Sequence, residues 1–226
     1  PSTMVQFTAN GGRAEGYLSS PESGNGPGVV VIQEWWGLVD HIKEVADRFA
    51  DEGFVALAPD FYHGQATEEP DEAGKLMMAL DIDRVAKDAR GAVDYLLGEG
   101  GATGSKVAVV GFCMGGQLAL YAATVSPDRI GAVADFYGIH PSAEPDLDAL
   151  QAPVLGLFAE NDEYASPAAA NALEQQIKQR GIETEFVIYP AVDHAFFNDT
   201  RPEVYDSASA EDAWQRTVSF FRKHLA

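Results

Sequence analysis

One short stretch, residues 107–116, constrains the fold of this chain more than any other part of the sequence. It reads Val-Ala-Val-Val-Gly-Phe-Cys-Met-Gly-Gly, and a helix-like segment at 117–123 follows it. The pattern predicts a strand, a sharp turn and a helix, with Cys113 at the tip of the turn. Glycines two residues before and two after the cysteine suit a strained turn in which strand and helix approach closely. This is the G-x-C-x-G form of a nucleophile elbow.

Two other interpretations of the stretch deserve comparison. A lone cysteine is often a small buried core residue, and a glycine-rich turn after a strand also suits phosphate binding. However, the turn has neither the G-x-x-x-x-G-K-[ST] pattern nor G-x-G-x-x-G. The strand before Cys113 and the helix after it favour the elbow. At the helix N-terminus, backbone N–H groups and the helix dipole favour a thiolate.

The rest of the chain alternates strands with helices from residue 29 onward, after a predicted hairpin at 4–18. We therefore predict one domain, 1–226, of the α/β class, with a mostly parallel sheet, right-handed crossovers and helices on both faces. Asp40 is a candidate cap for a helix that stops at Gly53. The weakly patterned segment 63–82 is a candidate for a helix that covers the site. Further strands are predicted at 29–32, 54–58, 130–136, 153–159 and 184–189, and helices at 84–97, 167–180 and 208–225.

Charge and composition narrow the range of partners. With 35 acidic and 15 basic residues, the net charge is −20, which repels nucleic acid and anionic membranes. No apolar run reaches the length of a membrane span. One cysteine excludes an intramolecular disulfide, so we expect a cytoplasmic protein. The acids are spread out, which indicates solvated faces rather than a metal cluster. An acidic surface with few lysines leaves a saline habitat as an open interpretation.

Four polar side chains each follow a predicted strand: Glu34, Cys113, Asp162 and His194. In sheets of this type, ligands bind beyond the carboxyl ends of the strands. A thiol with an ordinary pKa of about 8.5 needs a base to become a nucleophile at neutral pH. Histidine is that base, and a carboxylate fixes its tautomer. The chain order of nucleophile, acid and histidine is that of the α/β-hydrolases.

Other residues compete for these roles. Only His194 lies between the last predicted strand and the last predicted helix, which favours it over the other histidines. Asp193 is a rival of Asp162, but adjacent side chains rarely orient each other well. Asp60 is expected to have a structural or capping role. The remaining histidines are His41, His63, His140 and His224.

Several motifs, taken together and in order, resemble the dienelactone hydrolase family (carboxymethylenebutenolidases and relatives). They are Gly-Phe-Cys-Met-Gly-Gly at 111–116, Gln-Glu-Trp-Trp-Gly at 33–37, Ala-Pro-Asp-Phe-Tyr at 58–62, Phe-Tyr-Gly at 136–138 and Asp-His-Ala-Phe at 193–196. The resemblance covers nearly the whole chain and implies an α/β-hydrolase fold.

The resemblance also implies a Cys113–His194–Asp162 triad, in which Glu34 contacts the resting thiol and helps to control its deprotonation. The oxyanion hole is expected to use the backbone N–H groups of Trp35 and Met114, since one donor follows the nucleophile and the other lies after an earlier strand.

The sequence departs from the dienelactone-cleaving members in its arginines. Those enzymes hold a substrate carboxylate with an arginine before the long helix and another four residues after the catalytic histidine. Here residues 62–83 contain no arginine, and the second position is Asn198. Arg201 and Arg84 are candidate substitutes, although bidentate geometry does not transfer freely between positions. Trp36 and Tyr137 are candidates either for the pocket or for the core.

The sequence thus predicts a hydrolase of a small ester or lactone, acting through a thioester without metal or cofactor, as a monomer or homodimer. Three alternatives stay open: a thioesterase or general carboxylesterase with the same triad, a ligand-binding module that has lost turnover, and a redox-sensing thiol protein.

Overall fold

All 226 residues are described by a computed structural model, in which eight strands form one sheet. Their order across the sheet is β1-β2-β4-β3-β5-β6-β7-β8. The first two strands form an antiparallel hairpin at one edge, and β2 pairs antiparallel with β4. All pairs from β4 to β8 are parallel. The strands are β1 (Ser2–Ala9), β2 (Gly12–Ser19), β3 (Gly26–Ile32), β4 (Val55–Pro59), β5 (Ala102–Phe112), β6 (Ile130–Phe136), β7 (Val154–Ala159) and β8 (Thr184–Tyr189).

Six helices connect and cover these strands. They are α1 (Asp40–Asp51), α2 (Pro70–Ala79), α3 (Ile82–Leu97), α4 (Met114–Val125), α5 (Pro167–Lys178) and α6 (Ser207–Leu225). Helices α1 and α6 pack on one face of the sheet, and α3 and α4 pack on the other. The predicted α/β architecture, with a mostly parallel sheet between two layers of helices, is confirmed.

The central strands are apolar on both sides because both faces of the sheet are covered. In β3, Val29 and Val31 belong to the core beneath α1 and α6, whereas Val30 and Ile32 belong to the core beneath α3 and α4. This explains why the run at 29–32 has no polar alternation. No helix of the chain is both long and apolar enough to span a membrane.

The sheet has a topological switch point at β3, where the strand order reverses. The chain runs from β3 outward to β4 on one side, and then returns to place β5 on the other side of β3. Such a switch point leaves a crevice beyond the carboxyl ends of the two diverging strands, where ligands bind. Glu34 follows β3 and Cys113 follows β5, so these two residues lie at the switch point.

One helix start differs from the prediction. The residue that precedes α1 is Val39, and Asp40 is already helical and caps nothing with its side chain. Asp40 still suits the first turn, because a carboxylate there interacts favourably with the helix dipole. Gly53 does end the segment: it has φ 93° and its N–H donates to the Ala50 carbonyl oxygen (3.0 Å).

Candidate active site

Cys113 occupies the turn between β5 and α4 with φ 58° and ψ −124°. A residue other than glycine rarely adopts this region of φ and ψ, and such strain is typical of functional positions. The flanking glycines make the turn feasible. A Cβ atom at Gly111 would overlap the Gly115 carbonyl oxygen, and one at Gly115 would overlap the Gln33 carbonyl oxygen. The elbow predicted from the sequence is therefore the observed conformation, and it leaves the cysteine half-buried.

The backbone of the elbow is tied to the loop that follows β6. The Cys113 N–H donates to the Phe136 carbonyl oxygen (3.0 Å), and the Ile139 N–H donates to the Cys113 carbonyl oxygen (3.1 Å). These bonds hold the cysteine in place and help to offset the strain at its φ. The loops after β5 and β6 therefore act as one rigid support for the sulfur.

His194 and Asp162 form a short contact beside the elbow. The imidazole Nδ1 and the carboxylate Oδ2 are 2.6 Å apart. The other carboxylate oxygen of Asp162, Oδ1, accepts the backbone N–H groups of Tyr164 (2.8 Å) and Ala165 (3.0 Å). Because a carboxylate only accepts, Nδ1 carries the proton in this contact, and Nε2 is left to exchange a proton with the thiol. Asp193, the rival acid, makes no hydrogen bond to the ring.

The surroundings of His194 favour its protonated form. Burial works to lower the pKa of His194, but the hydrogen bond to Asp162 and the adjacent Cys113 sulfur outweigh burial and raise the pKa to about 10. The Cys113 sulfur acts on the ring both through its charge and through a hydrogen bond, and both effects raise the pKa of His194. A histidine that is stabilised as imidazolium is suited to accept the proton of a thiol.

Glu34 is almost completely buried at the carboxyl end of β3. Burial raises its pKa to about 7, although His194, Arg201 and a hydrogen bond from Asn198 partly oppose the shift. The Asn198 amide donates from Nδ2 to Glu34 Oε1 (3.0 Å), and its Oδ1 accepts from the Thr200 N–H (2.9 Å). No hydrogen bond joins Glu34 to the thiol. The hydrogen-bond partner of Glu34 is thus Asn198, and the expected contact of Glu34 with the resting sulfur stays a prediction.

Two backbone N–H groups in the loops after β3 and β5 donate to no protein acceptor. Met114 is the first residue of α4, so its N–H has no acceptor one turn earlier in the helix. The Trp35 N–H, in the loop after β3, donates to no protein acceptor. These are the two donors that the sequence predicts for an oxyanion hole.

A cavity of about 950 Å³ adjoins this group of residues on the side of Glu34. Asn198 and Trp36 line it, whereas Cys113 and His194 do not, so it lies next to the site rather than around the sulfur. The Arg201 guanidinium stacks 3.7 Å above the Trp36 ring, an arrangement with cation–π character. Tyr137 does not line this cavity and is completely buried behind His194.

The dienelactone hydrolase family model matches residues 14–225, nearly the whole chain. The chain belongs to the dienelactone hydrolase family. It is 42% identical to Protein usf of Aquifex pyrophilus over 98% of both chains, and 36% identical to a putative carboxymethylenebutenolidase of Aquifex aeolicus over 98% of both. The crystal structure of a putative dienelactone hydrolase from Klebsiella pneumoniae superposes with a TM-score of 0.87 at 27% identity, covering 99% of each chain.

Membership confirms the resemblance and the α/β-hydrolase fold, and makes this protein a hydrolase of esters or lactones. Within the family fold, the structure shows where the candidate arginines lie. Arg84 donates to His63 Nδ1 (3.1 Å), away from the sulfur. Arg201 lies near Glu34, and its charge partly opposes the rise that burial causes in the pKa of Glu34. Arg201 also pairs with Glu203 at 3.9 Å.

The remaining histidines of this family member are engaged elsewhere. His63 pairs with Asp88 (2.8 Å), and His224 pairs with Glu183 (2.9 Å). His140 Nε2 contacts the Met77 carbonyl oxygen (3.1 Å), and His41 lies 3.7 Å from Asp199. No group of three or more His, Cys, Asp or Glu side chains has the arrangement of a metal site. Asp60 accepts the N–H groups of two residues in its own turn, 62 and 64, as a structural residue does.

Two aromatic residues near the site were not singled out in the sequence. Tyr164 is 71% exposed, and its ring meets His194 edge-on with centroids 5.7 Å apart. Its position two residues after Asp162 was the available signal. Tyr62 is buried and donates its hydroxyl to the Met114 sulfur (3.4 Å). Tyr62 ends the Ala-Pro-Asp-Phe-Tyr motif at 58–62, but sequence alone gives no distance between β4 and the elbow.

Asp135, at the end of β6, is a buried carboxylate beneath the elbow. Its Oδ1 accepts the Gly138 N–H (2.8 Å), and its Oδ2 has no partner. Burial raises the pKa of Asp135 to about 7, against the effect of the Gly138 bond. The native state therefore binds a proton more tightly than the unfolded state, in which the pKa is near 3.8. The contribution of this group to stability is lost as pH rises from about 4 to about 7.

We expect Asp135→Asn to gain stability relative to wild type as pH rises. The gain should amount to about 3 kcal/mol between pH 5 and pH 8, and level off above pH 7. Urea unfolding at pH 5, 6, 7 and 8 measures the difference. Asp128→Asn, which removes an exposed carboxylate, is the control for net charge and should show a flat difference. A flat difference for Asp135→Asn would contradict the buried-charge argument.

Proposed function

We propose that this protein hydrolyses a small ester or lactone by nucleophilic catalysis, with Cys113, His194 and Asp162 as a triad and a thioester as intermediate. The observation that carries the proposal is the strained Cys113 beside a histidine whose Nδ1 lies 2.6 Å from a buried aspartate. Nucleophile, base and orienting acid are the three parts of such a site.

The reaction follows from the positions of these groups. His194 takes the thiol proton, and the thiolate attacks the substrate carbonyl carbon. The oxygen that gains negative charge accepts the N–H groups of Trp35 and Met114, each typically worth roughly 10²- to 10³-fold in rate. His194 then gives its proton to the departing alkoxide. Water, deprotonated by His194, cleaves the thioester and regenerates the thiol.

Glu34 is proposed to control the charge of the resting site. A carboxyl group with a pKa of about 7 changes its charge near neutral pH. When Glu34 is ionised, it favours the protonated form of His194, since its charge and that of His194 attract. We therefore propose that it assists thiol deprotonation through electrostatics, without the direct contact to sulfur that the family resemblance implies.

The cavity beside Glu34 favours substrates without a negative charge. Burial lowers the pKa of His41 in its wall to about 4, so that histidine is neutral at pH 7. Arg201 is the one cationic residue of the lining, and Glu203 already pairs with it. The acidic residues of the lining are Asp40, Glu68, Glu69 and Glu203. A substrate carboxylate entering this cavity would meet an excess of negative charge.

A panel of substrates tests the proposed function. It contains a neutral aryl ester, an acyl thioester, and two enol lactones that differ only in a free carboxylate. We expect turnover of the neutral members, and a kcat/KM about tenfold or more lower for the charged lactone than for its neutral counterpart, with the ratio narrowing as salt is added.

Rapid quenching and intact-protein mass measurement provide the second part of the test. An acyl adduct that forms and decays within one turnover, on the peptide containing Cys113, supports the thioester. Preference for the charged lactone would contradict the charge argument and assign the carboxylate to Arg201. Peroxide reactivity without turnover of any member would favour the redox-sensing alternative, and tight binding without turnover would favour a ligand-binding module.

The remaining expectations concern the whole protein. We propose a cytoplasmic location, because a nucleophilic thiol persists best in reducing surroundings. A single domain over 1–226, action as a monomer or homodimer without metal or cofactor, and the absence of nucleic-acid or membrane partners remain predictions from the sequence.

A further inference from the structure

The hydroxyl of Tyr137 donates to no acceptor, although the residue is completely buried and its oxygen lies close to the Phe197 backbone N–H. Burying an O–H group without an acceptor destabilises a protein, because the hydroxyl loses its bonds to water. The backbone at Tyr137 is also unfavourable, with φ 41° in the left-handed region. Two separate costs at one residue indicate a function that the resting structure does not complete.

Tyr137 packs against His194 and belongs to the loop after β6, which is bonded to Cys113. Its ring centroid is 5.0 Å from that of His194 and 5.3 Å from that of Phe196. Its own N–H donates to the Leu157 carbonyl oxygen (2.8 Å), so its backbone is held against β7. The residues on either side of it, 136 and 138–139, form the loop that is bonded to Cys113. The ring therefore packs beside His194, on a loop whose backbone is bonded to Cys113.

The charges around this hydroxyl are mainly negative or become negative. Burial raises the pKa of Tyr137 well above its ordinary value, and the nearby Glu34, Cys113 and Asp162 raise it further, against the opposing effect of the Phe197 backbone N–H. The phenol consequently keeps its proton throughout the accessible pH range. His194 and Arg201 are the positive groups facing the same cluster. Of the acids, Asp162 already accepts three hydrogen bonds, whereas Glu34 accepts one.

We propose that Tyr137 donates its hydroxyl hydrogen bond to the negative charge that Glu34 and Cys113 share when the thiol is deprotonated. The proposal rests on the proposed function, in which Cys113 is the nucleophile. No covalent bond changes at Tyr137, and it keeps its proton while the thiol proton moves to His194. The donor stabilises the charged state of the site more than the neutral one, and so promotes the reactive thiolate.

A role as a pocket wall or as core packing makes different demands. A wall or a packing residue needs the ring alone, and phenylalanine would serve it equally. Tyr189 provides the comparison within the same chain: it also packs on Phe196 (5.1 Å), but its hydroxyl donates to Asp212 (2.6 Å) on α6, outside the site. Its hydroxyl donates to a structural acceptor, whereas that of Tyr137 donates to none.

The test compares Tyr137→Phe with wild type and with Tyr189→Phe. Iodoacetamide alkylation of Cys113 as a function of pH reports the thiolate without requiring any substrate. For Tyr137→Phe we expect alkylation at pH 7 to slow about 10-fold, its pH midpoint to rise by about one unit, and kcat/KM for a neutral ester to fall about 10- to 100-fold. Its thermal midpoint should be equal to or above that of wild type. Tyr189→Phe should lower the thermal midpoint and leave the alkylation profile unchanged.

Each other outcome has a definite meaning. An unchanged alkylation profile in Tyr137→Phe overturns the proposal, and a change confined to KM would then assign the residue to the pocket wall. A lowered thermal midpoint with unchanged reactivity also overturns it, in favour of packing. If the alkylation profile shifts but wild type hydrolyses no member of the panel, the donor role stands and the proposed function fails.

Discussion

Cys113→Ala should lower kcat/KM for a neutral ester by about 10⁴-fold or more, to near the limit of detection. Removing the nucleophile of a triad leaves only the contribution of the oxyanion donors and of substrate binding. Alanine keeps the Cβ atom, so the strained backbone at φ 58° meets the same steric demands in both proteins. The loss is therefore expected in the chemistry and not in the fold.

Initial rates over a range of substrate concentrations measure this effect. Circular dichroism and thermal unfolding are the controls for folding. Cys113→Ser is the matched variant, since it keeps a nucleophile of similar size with a much less acidic proton. We expect its activity to lie between those of alanine and wild type. Retention of more than a tenth of wild-type activity by Cys113→Ala would show that the sulfur is not the nucleophile and would overturn the triad.

The order of strands and helices was predictable because each element carries its own local signal. The run at 29–32 is apolar on both faces, the periodicity of 84–97 is helical, and glycine or proline marks most ends. The predicted strands at 130–136 and 184–189 agree with β6 and β8 residue for residue. The Asp40 cap was wrong because cap preferences do not fix a helix start to one residue.

The position of the site was predictable for a topological reason. Parallel strands bring their carboxyl ends to one edge, so residues that follow different strands meet without any contact being known in advance. This places Glu34, Cys113, Asp162 and His194 together although up to 160 positions separate them, as residue numbers 34 and 194 show.

The partners of individual atoms were not predictable in the same way. The bond from Asn198 to Glu34 spans 164 positions and depends on the exact path of the loop after β8. The missing acceptor for the Tyr137 hydroxyl proton is a property of packing in three dimensions, and no pattern of residue types records it. Electrostatics follows the same rule: the pKa of Glu34 is set by burial, which the residue type alone does not reveal.

Asp162→Asn should lower kcat/KM by about 10⁴-fold, although the substitution is nearly isosteric. The two N–H groups of residues 164 and 165 require an acceptor at the Oδ1 position, so the asparagine carbonyl oxygen stays there. The NH₂ group then occupies the Oδ2 position, 2.6 Å from His194 Nδ1 in wild type. A donor at this point forces Nδ1 to accept, which moves the ring proton to Nε2. His194 then presents a proton to the sulfur instead of a lone pair and no longer works as a base.

Asp193→Asn is the matched control, because it removes an exposed carboxylate next to His194 that makes no bond to the ring. It should keep activity within about threefold of wild type, since exposed charges act weakly. Steady-state kinetics of both variants, with thermal unfolding as a check on folding, separates an orienting acid from a merely nearby charge. Equal losses in the two variants would mean that net charge beside His194 matters and its tautomer does not. If Asp162→Asn retained more than a tenth of wild-type activity, the fixed tautomer would not be required for the reaction.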